Sequence, residues 1–328
     1  MDKFYFAGYL GQRVEELHLY DVFERKDVTL VSENIISIKW RLFEKIFHKF
    51  NQPLKLREKD SLFASLWNRF YTLYNIKYSK DDTNYIIFFN SALSVYYTER
   101  FFIDLKKKKP NIKLVLYLVD QMDRPYSGKV KRMLPYFDIV YCINHRDTKE
   151  YGFNYYPLVY SNYPLNRIVP LKEKSDLYFM GNNWDRDEFI HQIYETLTQK
   201  GVKCDFGLLG VAEEKQKHKG KIIYNQGYSM DENLAHSMST NCILEVMHKT
   251  VNATTARYPE AVYLNKKLLT NNKNVVYEKF YNPEYVRIFD KLEDIDIDWL
   301  LKKEEIDYHY DGSFSPIELI NTVKKDLN

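Results

Sequence analysis

The sequence has no apolar run of about 18 residues, so no membrane-spanning helix is expected. Glycine is scarce, at 11 of 328 residues, which argues against a site dominated by a glycine-rich dinucleotide cradle. Cysteine is scarcer: Cys142, Cys204 and Cys242 are far apart, odd in number and without metal-ligand spacing. Free thiols in a reducing compartment are the simplest reading. Net charge is nearly absent as well. The 48 basic and 45 acidic residues leave +3, too balanced for a general nucleic-acid binder. The start, Met1-Asp2-Lys3-Phe4, lacks a signal-peptide pattern, and a cytoplasmic location is expected.

What is present is core material. Apolar residues make up 45% of the chain, with 29 Tyr and 20 Phe, so global disorder is excluded. A length of 328 residues suits two domains of about 150. Strand-like apolar runs at 85–89, 113–119 and 138–143 alternate with helix-like segments, one of them at 97–109. Asp147 and Glu150 have N-cap and N3 spacing for a short helix. After a stretch with Pro157, Pro164 and Pro170, the alternation starts afresh. Strands are expected at 176–180, 205–210, 221–224, 241–246 and 267–270, with helices at 186–200, 231–239 and 255–265. Ser315-Pro316-Ile317-Glu318 is a helix start: N-cap, proline at N1 and a capping-box glutamate. Continuous apolar strands bounded by helices read as buried parallel sheets. The expected organisation is a domain at 1–165, a second at 166–310 and a last helix at 311–328. Ligands are then expected beyond the carboxyl ends of the strands.

The most informative stretch runs from the strand ending at Glu245 through Ala253-Thr254-Thr255-Ala256-Arg257-Tyr258-Pro259-Glu260-Ala261 to Lys267-Leu268-Leu269-Thr270. A strand, a small polar loop and a helix start make an anion site from free backbone N–H groups and the helix dipole. Thr254, Thr255 and Arg257 are candidate donors to a diphosphate, and Glu260 a candidate acceptor for ribose hydroxyls. Glu245 stands beside the loop, either as a site carboxylate or as a salt-bridged one. Gly181-Asn182-Asn183-Trp184-Asp185-Arg186 is the first strand-to-helix turn of the second half. There Gly181 allows close approach of backbone to ligand, Asn182 borders it, and Arg186 is placed to pair with phosphate. Trp184 is read as a packing residue, and Gln226-Gly227-Tyr228 as a weaker candidate for holding a base.

The second half resembles the donor-binding half of GT-B glycosyltransferases, particularly bacterial capsule, exopolysaccharide and lipopolysaccharide assembly enzymes. The resemblance rests on Glu260-Ala261-Val262-Tyr263 followed by Lys267-Leu268-Leu269-Thr270. It implies two Rossmann-like domains facing each other across a cleft and a nucleotide-sugar donor held by the C-terminal half. It further implies a ribose contact at Glu260, phosphate and sugar contacts at 252–257, and catalysis without a metal or other cofactor. Retaining members often carry a second glutamate eight residues before this one. Here that position is Asn252, a departure, and the stereochemical outcome stays open.

In the first half, Asp120, Asp123, Arg124 and His145 are candidate catalytic groups, with Glu15 behind them. Asp120 ends a strand and is the leading candidate for a general base. The loop holding Gly8 and Gly11 resembles the first turn of an acceptor domain, but its glycines are too few and wrongly spaced for a dinucleotide fingerprint. Residues 39–50 place Phe43, Ile46, Phe47 and Phe50 on one helical face amid basic residues. That helix suits either an anionic membrane surface on the cytoplasmic side or packing on the sheet. The expected activity is sugar transfer to a saccharide or lipid-linked acceptor. A nucleotide-sugar epimerase and a non-catalytic subunit of a transferase are the competing readings.

Overall fold

The computed structural model describes residues 2–8, 17–31, 68–90, 93, 97–109, 111–123, 127–248, 251 and 253–328. Gly11, Glu15, the 39–50 segment, Arg124 and Asn252 lie outside these residues. The chain forms two compact units, Met1–Ser161 with Phe314–Asn328, and Asn162–Ser313.

Among the described residues the first unit has six strands: β1 (Lys3–Ala7), β2 (Val28–Leu30), β3 (Asn84–Phe89), β4 (Ile112–Leu118), β5 (Ile139–Cys142) and β6 (Asn154–Tyr155). All pairings are parallel, in the order β2-β1-β3-β4-β5-β6. β3 is buried at every position and β4 at all but one, which is why their sequences read as continuous apolar runs. Among the described residues its α-helices are α1 (Thr72–Asn75), α2 (Glu99–Lys108), α3 (Ser127–Met133) and α4 (His145–Tyr151). The Thr98 side chain caps α2 by accepting from the Phe101 N–H, and Lys106–Lys108 complement the dipole in its last turn. The heavy aromatic content is structural here. Tyr97 meets Phe101 at a 4.6 Å centroid separation and Phe88 at 5.2 Å, edge-on.

The expected cap of α4 is corrected. Asn144, not Asp147, is the N-cap, its Oδ1 accepting from Arg146 and Asp147 N–H. Asp147 is already committed: its buried carboxylate accepts from the Met122 N–H at 2.7 Å and from Arg146.

The second unit carries β7 (Ser175–Asn182), β8 (Cys204–Leu209), β9 (Ile223–Tyr224), β10 (Thr240–Glu245), β11 (Lys267–Thr270) and β12 (Val286–Ile288). They too are all parallel, in the order β12-β11-β10-β7-β8-β9. Its helices are α5 (Asp187–Gln199), α6 (Met230–Met238), α7 (Arg257–Tyr263) and α8 (Ile297–Leu301). α6 begins with a reciprocal capping box between Ser229 and Glu232. The segment around Asp294-Ile295-Asp296 reads from sequence as a solvated linker. In the structure Asp296 caps α8 through the Trp299 N–H, and Asp294 accepts from the Asp290 and Lys291 N–H groups. Lys267 is fully buried, with its ammonium on the carbonyls of Trp299 and Lys302 and on Glu304 at 3.0 Å.

The last helix, α9 (Pro316–Leu327), packs on the first unit. Ser315 caps it through the Ile317 N–H, while Glu318 bonds Asn321 rather than closing a capping box. Buried tyrosine hydroxyls tie it to the sheet: Tyr141 donates to Asp326 at 2.7 Å and Tyr85 to Asn328 at 2.9 Å. No described helix is long and apolar enough to cross a membrane.

Candidate functional site

In the second sheet the chain runs outward from β7 through β8 to β9, then returns to the other side of β7 to lay down β10, β11 and β12. The order therefore reverses between β7 and β10. At such a switch point the connections leave in opposite directions and open a crevice beyond the strand ends, where ligands of α/β sheets bind. Gly181, Asn182 and Arg186 follow β7, and the loop to Arg257 follows β10, so sequence-predicted residues of both segments gather at this one edge.

Arg186 joins the two strands. It donates to the carbonyls of Asn182 (2.6 Å) and Asn183 (3.1 Å) beside β7, and to that of Val246 just past β10. It makes no ion pair among the described residues. Burial, and then the nearby charge of Arg257, lowers its pKa. The charge of Glu245 opposes these effects, and the guanidinium is held at the switch point by backbone carbonyls rather than by a carboxylate in direct contact. Gly181 leaves space for the Phe179 ring, which a Cβ there would meet at 3.2 Å, while the Arg186 guanidinium would lie at an ordinary contact distance of 3.8 Å.

Arg257 begins α7 and reaches the Met180 carbonyl in β7. It also donates to Glu260 at 2.8 Å, an i,i+3 ion pair with the carboxylate 1% exposed. The oxygens of Glu260 accept further from Asn233 (3.2 and 3.3 Å) and Ser237. In this arrangement Glu260 faces α6 and holds Arg257, with its acceptor positions in use. Asn233 and Ser237 escaped sequence reasoning. Their i,i+4 spacing on an otherwise apolar helix face was the available signal.

The two threonines are also engaged. Thr254 donates to Glu278 at 2.5 Å, and Thr255 to Glu245 at 2.5 Å. Glu245 accepts in addition from the Thr255 N–H (3.2 Å) and the Thr270 hydroxyl (2.5 Å), and is 1% exposed. These bonds pin the loop to β10, to β11 and to the segment that follows β11. Glu278 carried no local signal in the sequence.

Burial raises the pKa of Glu245, against opposing hydrogen bonds from Thr255 and Thr270 and the charge of Arg257. A folded-state acid with a raised pKa holds its proton more tightly than the unfolded chain does. Its contribution to stability is full below the ordinary value of 4.5 and is lost as pH rises through the raised one. Glu245→Gln removes this titration. The wild type should therefore lose Tm relative to the variant as pH rises above 4.5; parallel melting curves in pH would contradict it.

Two further sequence readings meet different surroundings. Trp184 does not pack: it is 67% exposed. Tyr228 is buried and lies flat on His236 at 4.5 Å, so it serves the interior rather than offering a face.

The first sheet reverses order between β1 and β3. Gly8 follows β1, with a φ of 118° that suits glycine, and Asn90 follows β3. Asn90 accepts from the Val119 N–H (3.0 Å) and donates to Asp120 (3.3 Å), which fixes that carboxylate at the carboxyl edge. His145, at the start of α4, stacks on Tyr155 at 4.0 Å. Burial and then Lys149 lower its pKa. Asp123 pairs with Arg146 at 3.0 Å. Gly8, Asp120 and His145 thus lie on connections at the carboxyl side of one sheet, while the donor-side candidates lie on the other.

No family model matches the chain, and no curated protein matches it. Solved structures do. UDP-GlcNAc 2-epimerase of Methanocaldococcus jannaschii, solved with UDP-GlcNAc and UDP, aligns over 98% of this chain and 100% of its own, at 13% identity and a TM-score of 0.53. A candidate UDP-N-acetylglucosamine 2-epimerase of Listeria monocytogenes aligns over 100% and 96%, at 10% identity and a TM-score of 0.54. An α-glucosyltransferase solved with UDP-glucose and DNA containing an abasic site aligns over 84% and 80%, at 10% identity and a TM-score of 0.47. Identities this low define architecture alone: the chain has the GT-B fold, two successive Rossmann-like α/β units with parallel sheets.

Proposed function

We propose that the chain is a glycosyltransferase that takes a sugar from a nucleotide-sugar donor bound at the switch point of the second sheet. The acceptor in this reading is a saccharide or lipid-linked saccharide of surface-polysaccharide assembly, the role implied by the sequence resemblance. The observation that carries the proposal is the pair Arg186 and Arg257, each bonded to a backbone carbonyl of the neighbouring strand at the β7–β10 edge. Two fixed guanidinium groups suit the diphosphate of a donor and the charge that grows on it as the glycosidic bond breaks. Gly181 and Asn182 border the phosphates, and Thr254, Thr255 and Glu245 keep the loop in shape. Glu260 orients Arg257, and a ribose hydroxyl reaches it by replacing the Asn233 or Ser237 bonds. Asp120 is the leading base for the acceptor hydroxyl and His145 the second, with Gly8 and Gly11 on the acceptor side.

The epimerase reading has one observation in its favour, the full-length likeness to two such enzymes. An enzyme that inverts a sugar carbon needs proton-transfer groups beside that carbon. At this edge the carboxylates Glu245 and Glu260 are both buried and hydrogen-bonded, which favours transfer. Both of those structures carry UDP-N-acetylglucosamine in their names, which puts uridine first among the bases to test.

Incubation with UDP-, GDP-, CMP- and dTDP-sugars, with and without saccharide acceptors, tests the proposal. Release of the nucleoside phosphate with a glycosylated acceptor is expected. Conversion of the donor to its epimer without release would overturn it in favour of the second reading.

A further inference from the structure

Trp184 sits at the centre of the turn joining β7 to α5, and the turn is firmly held. The Asn183 N–H bonds the Leu209 carbonyl at 2.7 Å, and the Asn183 side chain accepts from the Arg186 and Asp187 N–H groups at 3.0 and 2.8 Å. The Arg186 N–H bonds the Asn183 carbonyl at 2.9 Å, closing a four-residue turn. Its two central residues, Trp184 and Asp185, have φ of 44° and 59°. Positive φ at both central positions is the mirror-image turn that prefers Asn-Gly, because a side chain there crowds the backbone. A tryptophan in the first of those positions is locally disfavoured. Nothing in the fold compensates: the indole is 67% exposed and, among the described residues, makes no hydrogen bond or ring contact.

A bulky apolar ring exposed to water, carried on a firmly held turn that favours a small residue, fits a role outside the folding of this chain. Its position says which. Arg186 lies two residues on, so the two Cα atoms are at most about 7.6 Å apart. That separation is comparable with the span from diphosphate to base in a nucleotide.

We propose that Trp184 is the stacking platform for the base of the nucleotide donor. This rests on the donor-site reading above and adds the residue that takes the base. Every base has a π-face, so stacking supplies affinity without choosing among bases. Selectivity for uridine or guanosine must then come from other groups, and loss of Trp184 should weaken all nucleoside diphosphates by a similar factor.

Titration of the wild type, Trp184→Gly and Trp184→Phe with UDP and GDP, read by tryptophan fluorescence and by calorimetry, tests this. The chain has four tryptophans, so quenching seen in the wild type and lost in a Trp184→Phe variant that still binds by calorimetry is what assigns it to Trp184. In Trp184→Gly, Tm should hold or rise as the turn gains a residue that takes positive φ without strain, while affinity for both nucleotides falls roughly ten- to a hundredfold. Trp184→Phe should keep most of the affinity. Binding of UDP by Trp184→Gly within twofold of the wild type would overturn the proposal. So would quenching by UDP-sugar but not by UDP, which would move the sugar onto the ring. Loss of binding to anionic lipid vesicles with nucleotide affinity unchanged would likewise overturn it, in favour of a surface contact. A wild type that binds no nucleotide at all would instead remove the donor-site reading itself.

Discussion

Replacing Arg257 by alanine is expected to cut nucleotide-sugar turnover by about a hundred- to a thousandfold, the scale for losing one donor to a developing anion. Nucleoside diphosphate affinity should fall by about ten- to a hundredfold, since a hydrogen bond to a charged group is worth about 1.5–3 kcal/mol. Two effects are superposed. The guanidinium leaves the phosphate, and Glu260, 1% exposed, loses its cation. Arg257→Lys separates them. It keeps a charge near Glu260 but lacks the planar fork that meets two oxygens at once. The variant should fold close to normally and still lose most turnover. Wild-type kcat and KM in Arg257→Lys, measured on the same donor, would show that the fork is not used on phosphate.

The second large effect is on stability. Glu260→Ala leaves Arg257, only 17% exposed, without its partner, and strands the side-chain donors of Asn233 and Ser237. Breaking one side of a buried ion pair costs about 3–5 kcal/mol. In a unit of this size that lowers Tm by on the order of 10 °C. Glu260→Gln keeps the shape and one carbonyl acceptor, so it should lose less. Equal melting temperatures for wild type and Glu260→Ala, measured by calorimetry, would mean that the network contributes nothing to the fold. Donor affinity in Glu260→Gln gives a second readout. A weakened diphosphate as well as a weakened nucleoside points to Glu260 acting through Arg257.

Much of the architecture was legible because parallel strands buried on both faces need uninterrupted apolar residues. Tyr85–Phe89 and Lys113–Val119 announce β3 and β4 in this way, and Asn241–Val246 announces β10. β2, β6 and β12, with two or three residues each, lie below what a periodic pattern can signal, whereas the short β9 falls within the apolar run at 221–224. The return of α9 to the first unit was not legible. It depends on Tyr85–Asn328 and Tyr141–Asp326, contacts 243 and 185 residues apart, and no local rule encodes such pairs. At the site, residue types and their clustering after β7 and β10 were readable from turn and helix-start chemistry. Partners were not. Arg257 and Glu260 at i,i+3 are an ordinary helix ion pair, a reading available from spacing alone, yet Glu260 reads more naturally as a free acceptor. The roles of Thr254 and Thr255 turn on Glu278 and Glu245, brought near by the sheet. Trp184 misleads for a related reason. Apolar aromatics usually pack, and only the turn geometry shows that this one cannot.

The most direct test is a crystal structure with UDP, or the tightest-binding nucleoside diphosphate of the panel, soaked in. Density for the two phosphates should lie within hydrogen-bond reach of the Arg186 and Arg257 guanidinium groups, beyond the ends of β7 and β10. A fully occupied nucleotide bound elsewhere, with both arginines still on their carbonyls and no phosphate beside them, would contradict a donor site at this switch point.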